Sequence, residues 1–220
     1  MVRYIKRARA RNLISKAGLW FVDIPRTSST SVKKVLGDTY KGEFRKTYER
    51  ESGLRTRNKY FSDHTSARII KKSLSPKIWD ELFSFSIVRN PWDRFLSLYK
   101  FRQANGDLPK DVDFKAYVLS LNHTRYRDNN SPFCQPYYHM SMSDFLMDSS
   151  DNLLVKKIFL FEERSLLVKE LNKRFNLNLK NVHKEKLSNG VTYRESYDDE
   201  SSGIIQRFYA DDIENFNYQF

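Results

Sequence analysis

Leu19-Trp20-Phe21-Val22-Asp23-Ile24-Pro25-Arg26-Thr27-Ser28-Ser29-Thr30-Ser31 is an apolar run that stops at a hydroxyl-rich loop carrying one cation. Leu19 to Ile24 suits a strand of a parallel sheet, buried on both faces. Pro25 ends it. Thr30 or Ser31 is placed to cap a short helix with apolar Val32, Val35 and Leu36 and a stop at Gly37. Helix-start amides, hydroxyls and the Arg26 guanidinium together make a surface that can replace the water shell of a phosphate-like anion. The plainer alternative is a capped turn with no ligand.

The same logic returns at Ile87-Val88-Arg89-Asn90-Pro91-Trp92-Asp93-Arg94-Phe95-Leu96-Ser97-Leu98-Tyr99. The run from Leu82 to Val88 alternates in its middle and reads as a strand. Arg89 then stands at a strand end, the edge where open α/β sheets bind ligands. Asn90 is an N-cap followed by proline at the first helical position. Trp92, Phe95, Leu96 and Tyr99 form a stripe at i, i+3, i+4, i+7, which leaves Ser97 off the core face and open to a ligand. The Arg89 fork suits a phosphate; the alternative is an ion pair with Asp93 or Asp80. Two such elements predict a ligand with two anionic ends.

Further out, helices are expected from Thr65 to Lys72, from Pro76 with Ser75 as cap, and around Phe114 to Leu121. A third strand is expected at Lys157 to Phe161, followed by a helix through Leu167, Leu171 and Phe175. The tail has a helical stretch with Ile204, Ile205 and Phe208 and closes on Phe216, Tyr218 and Phe220. Strands alternating with helices predict an α/β fold of three layers, an open and mostly parallel sheet with helices on both faces. Residues 1–18 read as a basic lead-in and 19–220 as a single domain.

Composition narrows the function classes. A hydrophobic fraction of 40% supports a packed core and excludes wholesale disorder. The 39 Lys and Arg outnumber the 27 Asp and Glu, and the resulting +12 field attracts anions such as nucleotides, sulfated glycans, nucleic acid or acidic membranes. No nucleic-acid recognition motif accompanies it. Cys134 is the single cysteine, so no internal disulfide forms, and it reads as a buried thiol. No run approaches the roughly 18 apolar residues of a membrane span. The basic N-terminus lacks a signal-peptide core, so a cytoplasmic location is expected. Asn122-His123-Thr124 and Asn129-Asn130-Ser131 match a glycosylation triplet that also arises by chance. The first loop lacks the G-x-x-x-x-G-K-[ST] pattern of nucleoside triphosphatases.

Taken together, these residues resemble the sulfotransferase superfamily, in particular its carbohydrate-type, family 2-like branch. The first loop of that family typically reads P-K-T-G-G-T-S; here it is Pro25-Arg26-Thr27-Ser28-Ser29-Thr30-Ser31. The second element reads V-R-[ND]-P-W-[DE]-R-x-x-S-x-Y and is nearly completely matched by Val88 to Tyr99. A His-initiated helix between the two is similar to His64-Thr65-Ser66-Ala67-Arg68-Ile69-Ile70. An F-E pair matches Phe161-Glu162, and an acidic-aromatic tail resembles Asp211 to Phe220.

The resemblance implies a P-loop-kinase-like sheet and 3′-phosphoadenosine-5′-phosphosulfate (PAPS) as donor, with 3′-phosphoadenosine-5′-phosphate (PAP) as product and no metal. It implies that Arg26, Thr27, Ser28, Ser29, Thr30 and Ser31 hold the 5′-phosphosulfate and that Arg89 and Ser97 hold the 3′-phosphate. Arg26 would stabilise the leaving phosphate, and His64 is the preferred general base, ahead of Glu162 and His139. The sulfuryl group would pass to a hydroxyl or an amine of an acceptor, with a carbohydrate one candidate. Two departures stand out. Arg26 replaces the usual lysine, and the Ser28-Ser29 pair replaces small glycines, which implies a different backbone path. A P-loop-type small-molecule kinase and a non-catalytic basic nucleotide- or glycan-binding module remain the alternatives.

Overall fold

The computed structural model describes residues 18–32, 36, 64–74, 76–122, 136–176, 179 and 192–220. After β1 (Leu19–Val22) and helical residues 29–32, the chain forms α1 (Ala67–Ser73), α2 (Pro76–Glu81), β2 (Phe83–Val88), α3 (Pro91–Asn105) and α4 (Phe114–Leu119). It continues through α5 (Pro136–His139), α6 (Met142–Leu146), β3 (Lys157–Leu160), α7 (Arg164–Phe175), α8 (Asp199–Phe208) and α9 (Ala210–Asn215). The described residues fall into two compact units. One draws on Met1–Val88 and Asp144–His183, the other on Arg89–Ser143 and Lys184–Phe220.

The first unit is built on a three-stranded open sheet of order β1-β2-β3, parallel throughout. Leu19 pairs with Phe83 and Val22 with Ser86, while Phe85 pairs with Lys157 and Val88 with Leu160. Phe21, Phe83, Phe85, Ile87 and Phe159 share a core with Leu167, Val168 and Leu171 of α7. Phe21 stacks on Phe85 at 5.2 Å, and Phe159 meets Phe85 edge-on at 6.0 Å. Phe85 is fully buried, so truncating it to alanine costs about 3–5 kcal/mol.

β2 alternates Phe and Ser in its middle, yet all six residues are buried. The serines supply the reason: Ser86 Oγ donates to the Val22 carbonyl at 2.8 Å, and Ser84 Oγ accepts from the Lys156 amide at 3.2 Å. A small hydroxyl satisfied by a neighbouring strand can be buried at little cost.

The second unit is helical. Asn90 Oδ1 accepts from the amides of Trp92 and Asp93 at 3.1 and 3.4 Å, with Pro91 at the first helical position, as the sequence predicts. Gly106, at φ 73°, closes α3 in the left-handed conformation open to glycine. Phe95 stacks on Tyr117 of α4 at 5.0 Å, and Trp92, Leu98, Ile204, Ile205 and Tyr209 complete this core. Phe220 packs on Trp92 at 5.4 Å.

The stripe on α3 is a correction: every residue from Pro91 to Leu98 is buried, Ser97 included. Over these first two turns, burial on every side means that periodicity alone does not set Ser97 apart from its neighbours. The first strand also ends at Val22 rather than Ile24, and the helix after the loop starts at Ser29, ahead of the expected Thr30 or Ser31 caps. Val35, Gly37, Ser75, His123, Asn129, Cys134 and His183 lie outside the described residues.

Candidate functional site

The loop after β1 is shaped by its backbone. Arg26 and Ser28 adopt φ 66° and 76°, whereas Thr27 between them does not share the left-handed region. Alternating handedness of this kind turns successive N–H groups toward one side and makes a concavity for anions. It also costs about 1–2 kcal/mol for each residue with a Cβ. Six described non-glycine residues have positive φ: Arg26, Ser28, His64, Asp151, Asn176 and Asn217. The last three are Asp or Asn, which tolerate the region. The first three are all predicted site residues, and strain concentrated there is typical of a functional site. Ser28 thus takes a conformation that glycine favours.

The hydroxyls of the loop divide their work. Thr27 is fully buried and its Oγ1 donates to the Ile24 carbonyl at 3.0 Å, so its one hydroxyl proton braces the turn. What Thr27 can offer an anion is its amide. Ser28 Oγ accepts from Arg164 Nη1 at 2.8 Å, while the Ser28 carbonyl receives the Val32 amide at 3.1 Å. Ser29 is buried, Ser31 half-buried and Thr30 exposed.

His64, just before α1, belongs to the same unit. Its Nδ1 lies 3.3 Å from the Asp23 carbonyl oxygen and 3.3 Å from Asp23 Oδ1. Both are acceptors when Asp23 is ionised, so the neutral ring carries its proton on Nδ1 and its lone pair on Nε2. Sequence reasoning missed Asp23. Its signal is a lone carboxylate in an otherwise apolar strand run, and its side chain is 1% exposed.

In the second unit, Arg89 follows directly on β2. Its Nε and Nη2 donate to Asp93 Oδ2 and Oδ1 at 2.8 and 2.9 Å, a buried bidentate pair one helical turn apart. The ion-pair alternative weighed from the sequence is therefore realised with Asp93. Asp93 thus takes two of the five N–H donors of the guanidinium. The Arg89 amide also reaches Met142 Sδ at 3.3 Å. Ser97 is buried two turns into α3.

A second buried carboxylate, Asp212, fastens the segment around Met142. It accepts from the amides of Met142 and Ser143 at 2.8 Å each and from Ser143 Oγ at 2.9 Å. Burial pushes its carboxyl above the ordinary value, against the pull of Arg94 and these hydrogen bonds. The remaining histidine of the described residues, His139, is fully buried with Nε2 2.8 Å from the Tyr117 hydroxyl. That burial separates it from bulk solvent, whereas Glu162 is exposed in the 3-10 turn Phe161–Glu163.

A three-stranded, open parallel sheet with helices, whose first strand feeds a strained, cation-bearing hydroxyl loop, defines an α/β protein of the open-sheet class. The family model described as "Sulfotransferase family" matches residues 13–219, and the chain belongs to that family. No curated protein and no solved structure matches it. Among the described residues no helix is long and apolar enough to cross a membrane.

Proposed function

We propose that this chain transfers a sulfuryl group from PAPS to an acceptor hydroxyl, in line, with PAP as the product. The observation that carries the reading is the loop of alternating handedness at Arg26 and Ser28, in a chain matched to the family over 13–219. In this proposal the amides of residues 26–31 and the hydroxyls of Ser28, Ser29, Thr30 and Ser31 hold the 5′ end of the donor. Arg89 and Ser97 hold the 3′-phosphate.

The bond between sulfur and the bridging oxygen breaks as a bond from the acceptor oxygen to sulfur forms. Arg26 opposes the negative charge that grows on the departing 5′-phosphate, and His64 Nε2 takes the acceptor proton. Positioning and electrostatics supply the rate, as in phosphoryl transfer. The net charge of +12 favours an anionic glycan as acceptor.

The test is transfer of radiolabelled sulfate from PAPS onto a panel of desulfated glycans and phenols. Label on an acceptor is the expected result. ATP turnover with magnesium but no sulfate transfer would make the chain a kinase. Stoichiometric PAP binding without transfer would make it a non-catalytic module.

A further inference from the structure

The first turn of α3 is gripped by residues far along the chain. Asn90 Oδ1 caps the helix, while Asn90 Nδ2 donates to the Tyr193 hydroxyl at 3.1 Å and to the Gln219 carbonyl at 2.9 Å, 103 and 129 positions further on. Trp92 is held in the same way. Its Nε1 donates to the Ser202 carbonyl at 3.0 Å, and its own carbonyl accepts from the Tyr197 hydroxyl at 2.8 Å. The Phe220 ring joins these partners, 5.4 Å from the ring of Trp92, 5.8 Å from Tyr197 and 6.1 Å from Tyr193. At 43% exposed it adds little to the core, yet it packs on both tyrosines that bond the turn.

Arg89 directly precedes this turn, and Asp93 within it holds the guanidinium by two bonds. The direction in which α3 starts therefore sets where Arg89 points. We propose that Phe220, together with Tyr193, is a positioning residue for the 3′-phosphate of the donor. Its packing on Trp92 fixes the first turn of α3 and so the place of the Arg89 guanidinium. The proposal rests on the PAPS reading above and adds to it a segment that acts through Arg89.

A double-mutant cycle read by calorimetry with PAP tests it, on the wild type, Phe220→Ala, Arg89→Lys and the two combined. Phe220→Ala should weaken PAP binding by about 5- to 30-fold in the wild-type background and by less than about 2-fold beside Arg89→Lys, where the fork it positions is gone. Phe220→Tyr keeps the ring and should bind PAP within about 2-fold of wild type. Tyr193→Phe, which removes the hydroxyl that Asn90 meets, should repeat the pattern of Phe220→Ala, and it decides the matter if Phe220→Ala does not fold. Equal losses in both backgrounds, or no loss, overturn the proposal. An Arg89→Lys chain that binds PAP as tightly as wild type overturns the 3′-phosphate site on which the proposal stands. Failure of the wild type to bind PAP overturns the PAPS reading itself, a separate outcome.

Discussion

His64 and Asp23 make the sharpest residue-scale claim. With Nδ1 3.3 Å from both the carbonyl and the carboxylate of Asp23, the ring is set to accept a proton at Nε2. Replacing His64 by alanine should lower kcat by a factor on the order of 100 or more and leave PAP affinity nearly intact. Steady-state kinetics beside calorimetry will check it, and near-normal turnover would remove His64 from the role. Asp23→Asn should lower kcat by about 10- to 100-fold with little change in acceptor KM, the usual worth of an outer partner that orients an imidazole. At Arg26, alanine should cost a factor on the order of 100 to 1,000 in kcat, whereas lysine should restore most of it. Failure of lysine to do so would mean that the loop is built for a planar fork.

At the scale of elements, α3 carries both the cap that the sequence predicted and the pair that it left open. Asn90-Pro91 is legible because cap chemistry is local. Arg89 with Asp93 is legible as a candidate because a strand-end cation stands only four residues before a carboxylate in the first turn of α3. The Asp23–His64 contact joins residues 41 positions apart, and Asp212 reaches Met142 and Ser143 across about 70, so no local pattern reports either. Ser84 and Ser86 mislead for a related reason, since polarity in a strand says nothing of a neighbouring carbonyl or amide that satisfies it. Because Arg89 and Asp93 are both buried, Arg89→Ala should destabilise the fold by about 3–5 kcal/mol through the carboxylate left unpaired. Chemical denaturation will measure this. A loss below about 1 kcal/mol would show that the pair is solvated rather than buried.

At the scale of the whole molecule, acid stability and ligand affinity are the informative quantities. Asp212 has a folded-state pKa above its ordinary value of 3.8, so the folded state binds its proton more readily than the unfolded chain does. Its contribution to stability is present in full below that ordinary value and is lost as the pH rises through the higher folded value. Unfolding free energies of wild type and Asp212→Asn, measured across the acid range, should therefore diverge with rising pH. Parallel curves would contradict the shift.

The first strand and the hydroxyl loop were readable because a buried run and its terminator are continuous in sequence. The use of Ser28 to hold a residue from α7 was not, since it joins positions 136 apart. Calorimetric titration of PAP into the wild-type chain and into Arg89→Lys, which keeps the charge but not the fork, separates a built 3′-phosphate site from a merely basic surface. One-to-one binding by the wild type, weakened in the variant and by added salt, is the result predicted. No binding of PAP by the folded wild-type chain would contradict the account.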